Sequence, residues 1–289
     1  MNKIAILTDS NSGFTSKQAE ELGIFLIHMP FTINGTDYED GVNLSHEDFY
    51  KFLEEEATIS TSMPSIGNVI QMWEDLLETY DEVIYIPMSS GLSSSCSAAT
   101  MASYDYDGKV QVVNNQRISV TQKHSVFDAI ELAAAGKDAA QIKSILEDQK
   151  MDSSIYIMVD TLKYLKAGGR ITPAAAAIGT LLNLKPVLQI QGEKLDAYSK
   201  CRGTKQAKKI MLQAIMDDQE KRFKGCFEAG KMRFAIAHSQ NEEAALDFKE
   251  EVLQIYPGAD IIIDPLSLSV ACHIGPGALA LACTKVIEY

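Results

Sequence analysis

The segment Glu82 to Met88 (Glu-Val-Ile-Tyr-Ile-Pro-Met) constrains this chain more than any other. After its first residue it is apolar without alternation. A strand apolar at every position is buried on both faces, as in the middle of a parallel sheet covered by helices. Its neighbours fit that placement. Ile66 to Tyr80 has helical spacing, and a Ser/Gly loop after Met88 leads into a helix through Tyr104.

The rest of the first half alternates in the same way. Ile4 to Leu7 and Lys109 to Val113 read as strands. Thr15 to Leu22, Ser45 to Glu56, Val120 to Ala135 and Ala139 to Gln149 read as helices. Thr15 and Gln18 are spaced as a capping box, and Ser45 stands at an N-cap. Asn34-Gly35 marks a tight turn after the apolar stretch Ile24 to Ile33, which Pro30 interrupts. Strand and helix alternating in this way predict α/β architecture with a parallel, doubly wound sheet.

The second half is patterned differently. Ser154 to Val159 reads as a strand, followed by a short helix that ends at Gly168-Gly169. Thr172 to Leu182 reads as a small-residue helix with Pro173 in its first turn. Lys185 to Gln191 and Leu195 to Lys200 flank Gly192-Glu193 as a hairpin. Long helices are expected at Thr204 to Phe223 and Glu242 to Ile255, with strands at Arg233 to Ala237 and Ala259 to Ile263. Ala278 to Val286 suits either strand or helix. This half predicts an α+β domain. A chain of 289 residues lies where single cores stop growing, so two domains are expected, 1–150 and 151–289, with the helix around 62–80 free to pack with either.

Charge narrows the function. The net charge is −13, with a sequence pI near 4.8, and no basic face is evident for nucleic acid. The cluster Lys200, Arg202, Lys205, Lys208 and Lys209 reads as a solvated face. The apolar stretch Ala174 to Leu182 is far shorter than the ~20 residues that span a bilayer. Asp9 interrupts the N-terminal apolar run where a signal peptide would continue. Five cysteines with no CxxC spacing predict reduced thiols and a cytoplasmic location.

The motifs of several chemistries are missing. The histidines are isolated, and there is no HExxH, GxxxxGK[ST], GxGxxG or GxSxG. No metal or cofactor is expected. Hydroxyl-rich loops at strand ends stand out instead: Thr8-Asp9-Ser10, Thr61-Ser62-Met63-Pro64-Ser65 and Ser89-Ser90-Gly91-Leu92-Ser93-Ser94-Ser95. Loops at the carboxyl ends of strands in an open α/β sheet are where ligands sit, and a helix N-terminus there attracts anions. Thr61 and Ser62 taken alone read as helix caps. The serine loop holds more hydroxyls than one cap needs, so it reads as a site for a carboxylate or phosphate. His273-Ile274-Gly275-Pro276-Gly277 is either a ligand loop or a packed turn.

These segments, with Val159 to Ile171 (Val-Asp-Thr-Leu-Lys-Tyr-Leu-Lys-Ala-Gly-Gly-Arg-Ile), Lys185-Pro186 and His273 to Ala278, resemble in order the DegV family of bacterial fatty-acid-binding proteins. The resemblance implies two α/β domains with a fatty acid between them. It implies a non-enzymatic, acyl-carrying subunit whose ligand is phosphorylated by a separate ATP-dependent fatty-acid kinase, for phospholipid synthesis. It assigns the carboxylate to Thr61 and Ser93, with Ser62 and Ser94 beside them and His273 and Gly275 near the head group. Arg170 and Arg202 match basic positions at the head-group mouth or the kinase-facing side; Arg170 alternatively anchors its own turn. The family commonly has Gly-Thr where this chain has Ser94-Ser95, and Gln where it has Met63. The helix Pro173 to Leu182 is a candidate wall for the tail. Transient membrane contact is compatible with such a ligand. The alternative is a stand-alone phosphotransferase built on the serine loop, with Asp9 and Asp160 as metal or base residues.

Overall fold

The computed structural model describes residues 2–177 and 184–289. They divide into two compact units. The first holds residues 1–150 with 267–269 and 288–289; the second holds 151–266 and 270–287.

The first unit is built on a four-stranded parallel sheet. Its strands are β1 (Ile4–Asp9), β2 (Phe25–Ile27), β6 (Glu82–Ile86) and β7 (Val110–Val112), in the order β2-β1-β6-β7. Val83, Ile84, Tyr85 and Ile86 are all fully buried, as an unbroken apolar run requires. β1 leads through α1 (Ser16–Leu22) to one edge. β6 leads through α4 (Ser95–Ser103) to the other. The winding reverses between β1 and β6, and this is the switch point of the sheet. Thr15 and Gln18 form the capping box of α1. Trp73, on α3 (Ile66–Leu77), is fully buried and packs edge-on against Tyr85 and Tyr106.

A second sheet of β3 (Pro30–Ile33), β4 (Thr36–Glu39) and β5 (Ile59–Thr61) is antiparallel, in the order β4-β3-β5. Asn34 and Gly35 join β3 to β4 with φ of 50° and 81°, the left-handed pair that a two-residue hairpin turn demands. The unit is completed by α2 (His46–Glu54), capped by Ser45, and by α5 (Ser119–Ala134) and α6 (Ala139–Asp148).

The second unit has one six-stranded mixed sheet. It contains β8 (Ser153–Met158), β9 (Lys185–Ile190), β10 (Asp196–Cys201), β11 (Met232–His238), β12 (Ile261–Pro265) and β13 (Leu279–Lys285). Their order is β10-β9-β8-β13-β11-β12. The stretch open to either reading is a strand, and a central one: β13 runs antiparallel to both β8 and β11. Leu279 to Thr284 are all buried. α9 (Thr204–Lys221) and α10 (Glu242–Ile255) cover the sheet, with Met211, Ile215, Phe248 and Val252 in its core.

Two readings need correction, and a third lies partly outside the described residues. Residues 267–269 and 288–289 belong with the first unit. The reason at 267–269 is Asp40, buried in the first unit, whose carboxylate accepts from the N–H of Leu268 (3.1 Å) and from Ser269 Oγ (3.1 Å). These residues open α11 (Leu268–Ile274), a helix the sequence reading did not anticipate. Lys208 is not on a solvated face. It is buried, paired with Glu251 at 3.2 Å and set over the Phe248 ring, whereas Lys200, Arg202, Lys205 and Lys209 are exposed. The small-residue helix is described only as α8 (Pro173–Ala177); the remainder of that expectation, including the tail-pocket wall to Leu182, lies outside the described residues.

Candidate anion-binding site

Construction starts at the switch point. Asp9 ends β1 with its side chain fully buried. Its carboxylate accepts from Met88 N–H (2.8 Å), Asn11 N–H (3.1 Å) and Gln122 Nε2 (3.0 Å). Gln122 Nε2 also lies 3.1 Å from both Thr8 Oγ1 and the Ile86 carbonyl, bridging β1 to β6. Burial pushes the Asp9 carboxyl up to about 6, against the opposing pull of those donors.

By holding Met88, Asp9 fixes the start of the serine loop. Ser89 then organises it. Its carbonyl accepts from Leu92 N–H (3.0 Å) and Ser93 N–H (3.2 Å), its hydroxyl accepts from Gly91 N–H (3.3 Å), and its own N–H donates to the Arg117 carbonyl (2.9 Å). The loop delivers Ser93, half-buried, and Ser94, exposed, to the N-terminus of α4. Ser93 Oγ accepts from Ser95 N–H at 3.2 Å, which leaves its own hydrogen available for donation. Ser94 is the N-cap residue of α4, yet its side chain makes no capping bond. This helix start therefore offers hydroxyl and N–H donors with a positive dipole end.

Two sequence motifs meet here. Ser94 Oγ donates to Met63 Sδ at 3.4 Å, joining the serine loop to Thr61-Ser62-Met63-Pro64-Ser65. Thr61 is half-buried at the end of β5, opposite Phe31. Ser62 is exposed, and its N–H donates to the Pro30 carbonyl. Neither is a helix cap, contrary to the reading made in isolation. The cap of α3 is Ser65, whose Oγ accepts from Asn68 N–H. The first unit thus carries Thr61, Ser62, Ser93 and Ser94 on two loops that touch through Met63 and Ser94. All four are neutral.

In the second unit the remaining motifs pack on one another. His273 lies on α11 against Gly168, the last residue of α7 (Lys163–Gly168). A Cβ at Gly168 would fall 2.2 Å from His273 Nδ1. At Gly275, with φ of 78°, a Cβ would fall 2.4 Å from the Tyr164 ring; at Gly277 it would fall 2.7 Å from the Asp160 carboxylate. Ser239, buried, closes the turn: its Oγ donates to the Gly275 carbonyl (2.6 Å) and accepts from Ala278 N–H (3.0 Å). Burial, then the Arg170 charge, pushes His273 down to about 4, so its ring is neutral near pH 7. Arg170 Nη1 donates to the Gly168 carbonyl, the turn-anchoring alternative. Arg202 is exposed, with its N–H on Gln206 Oε1.

The acids of the phosphotransferase alternative are engaged elsewhere. Asp9 is enclosed by protein donors, and Asp160 is paired with Lys185 at 2.7 Å. Among the described residues no group of three or more His, Cys, Asp or Glu is placed to hold a metal ion. No described helix is long and apolar enough to cross a membrane. Sequence reasoning missed Gln122, Asp40 and Ser239. Each is a single polar residue whose partners lie tens to hundreds of residues away, and none carries a local signal.

The model of the family described as "Uncharacterised protein, DegV family" matches residues 3–286. The chain belongs to the DegV family. Protein DegV of Bacillus subtilis is 29% identical, covering 96% of this chain and 98% of its own. A DegV domain-containing protein of Deinococcus radiodurans is 31% identical, covering 96% and 97%. Among solved structures, a fatty-acid-binding DegV family protein from Thermus thermophilus superposes with a TM-score of 0.89 at 29% identity, over 98% of this chain and all of that one. DegV of Bacillus subtilis, a fatty-acid-binding protein, superposes with a TM-score of 0.86 at 29% identity, over 99% and 100%. The DegV fold accounts for the parallel sheet of the first unit and the mixed sheet of the second.

Proposed function

We propose that this DegV protein binds a long-chain fatty acid and presents its carboxylate to a separate ATP-dependent fatty-acid kinase, which forms the acyl phosphate used in phospholipid synthesis. The observation that carries this reading is the start of α4, where Ser93 keeps a hydroxyl hydrogen for donation beside Ser94, an N-cap residue whose side chain makes no capping bond. The fatty-acid-binding relatives from Thermus thermophilus and Bacillus subtilis support the ligand class.

The ligand residues in this reading are Thr61, Ser62, Ser93 and Ser94, with His273 and Gly275 assigned to the same head group by the family motif. Arg170 and Arg202 belong to the head-group mouth or the kinase-facing side. Hydroxyls satisfy a desolvated carboxylate without neutralising it. An oxygen held in this way retains the nucleophilicity needed to attack a phosphoryl group. Affinity comes from the tail: about 0.8 kcal/mol per CH₂ over ~14 methylenes is roughly 11 kcal/mol before the costs of binding. The protein itself carries the acyl group and does not catalyse its transfer. Its site of action is the cytoplasm, a reading supported by five free cysteines.

Denaturing extraction of the purified protein followed by mass spectrometry tests the ligand. Fatty acid is expected at near-stoichiometric amount; none bound and none taken up would refute the proposal. Fatty acid still phosphorylated at the wild-type rate on a Thr61→Ala/Ser93→Ala variant would place the carboxylate elsewhere. ATP turnover by the protein alone would favour the phosphotransferase.

A further inference from the structure

The helix that begins at the serine loop turns an apolar face to solvent. Met101 is 73% exposed and Tyr104, at the C-cap of α4, is 76% exposed, the two highest values among the large apolar side chains described. Ser94, Ser97, Met101 and Tyr104 are spaced three, four and three residues apart, so they form one stripe. At 1.5 Å per residue it is about 15 Å long. At its near end Ser94 touches Met63, itself 39% exposed. The stripe is thus polar at the serine loop, through Ser94 and Ser97, and apolar at its far end, through Met101 and Tyr104.

The charge along the segment that carries this stripe is one-sided. Residues 52–108 contain ten Asp or Glu and no Lys, Arg or His. Glu74, Asp105 and Asp107 are among the exposed acids, and the last two flank Tyr104 closely in sequence. Phosphoryl transfer from a polyanionic donor to a carboxylate brings like charges together and requires cations to stabilise the transition state. The segment that carries the serine loop supplies none.

From the exposed Met101 and Tyr104 and the base-free segment that carries them we propose that this face of α4 is the docking surface for the phosphoryl-transferring protein, which covers Met101 and Tyr104 with an apolar pocket rimmed by Lys or Arg. The inference rests on the function proposed above and adds where the partner sits and what its surface must be. A bilayer fits the face less well, because the acids repel anionic lipid head groups.

The test is a Met101→Glu/Tyr104→Ala variant, purified with its fatty acid and presented to the cognate fatty-acid kinase subunit with ATP. Both side chains are exposed, so little change in stability is expected. KM for the loaded protein should rise at least tenfold, with kcat and fatty-acid content unchanged. An Asp105→Lys/Asp107→Lys variant should raise KM severalfold at low salt and less at high salt. An unchanged KM in Met101→Glu/Tyr104→Ala, with the fatty acid on the wild type phosphorylated, overturns the docking surface alone. Wild-type protein that carries no fatty acid overturns both the function and this inference. Loss of binding to phosphatidylcholine–phosphatidylglycerol vesicles with KM unchanged assigns the face to a membrane and overturns the inference as well.

Discussion

The serine loop of the first unit and the glycine turn of the second are both motif segments, and they are built in opposite ways. The serine loop satisfies its own backbone through Ser89, and leaves the Ser93 hydroxyl hydrogen unspent and the Ser94 side chain out of any capping bond. The Gly275–Gly277 turn spends its special residues on itself. Its glycines exist because Tyr164 and Asp160 occupy the space a Cβ would need, and Ser239 closes it from beneath. A motif can therefore mark a place where donors are kept open or a place where nothing further fits. Substitutions should separate the two: damage to the turn unfolds the protein, whereas damage to the loop empties it.

The largest effect is expected at Gly275. Alanine there meets both a left-handed backbone and the Tyr164 ring, so Gly275→Ala should cost about 3–4 kcal/mol, read as a lowered denaturation midpoint. A loss below about 1 kcal/mol would break the contrast.

The next effect is pH dependence, and the two regions have opposite signs. His273 is pushed down from 6.5 to about 4, so the fold favours its neutral ring. That contribution is full above pH 6.5 and is lost as pH falls through 4, up to about 3 kcal/mol. His273→Gln should remove this acid limb from a stability–pH curve. Asp9 is raised from 3.8 to about 6, so the fold favours its protonated form. That contribution is full below pH 3.8 and is lost as pH rises through 6, again up to about 3 kcal/mol. Hydrogen exchange followed amide by amide should show β6 protection weakening from pH 4 to 7 while β13 protection strengthens.

Ser239→Ala should cost about 2 kcal/mol, by leaving the buried Gly275 carbonyl and Ala278 N–H without their partner. Ser93→Ala should have the smallest effect on stability, about 1 kcal/mol, yet weaken fatty-acid binding tenfold or more, since a hydrogen bond to a charged group contributes about 1.5–3 kcal/mol. A midpoint shift as large as that of Ser239→Ala, with retained binding, would show that the loop is structural too.

What the sequence reveals is what is local. The Thr15 capping box, the Asn34-Gly35 turn, the Ser45 cap and the buried β6 run each depend on residues within a few positions of one another, and all are present. The hydroxyl loops were legible as a place, because a helix start after a strand end is a local arrangement. Their detailed roles were not, since Ser65 rather than Thr61 or Ser62 caps α3. β13 was ambiguous because Ala-Leu-Ala-Cys has no periodicity to choose between strand and helix. α11 was invisible because its first turn is bonded by Asp40, 228 residues away. Lys208 misled because its charge says surface, while its aliphatic stem and Glu251 allow burial.

Asp9 has a consequence for ancestry and engineering. Three N–H donors converge at the switch point of a doubly wound sheet, the kind of cradle in which other such folds seat an exchangeable phosphate. Here the anion is tethered to the chain and cannot leave. A competitor at so high an effective concentration would outbid any nucleotide, whatever loop were grafted beside it. Converting this scaffold to nucleotide binding would have to begin by deleting a carboxylate.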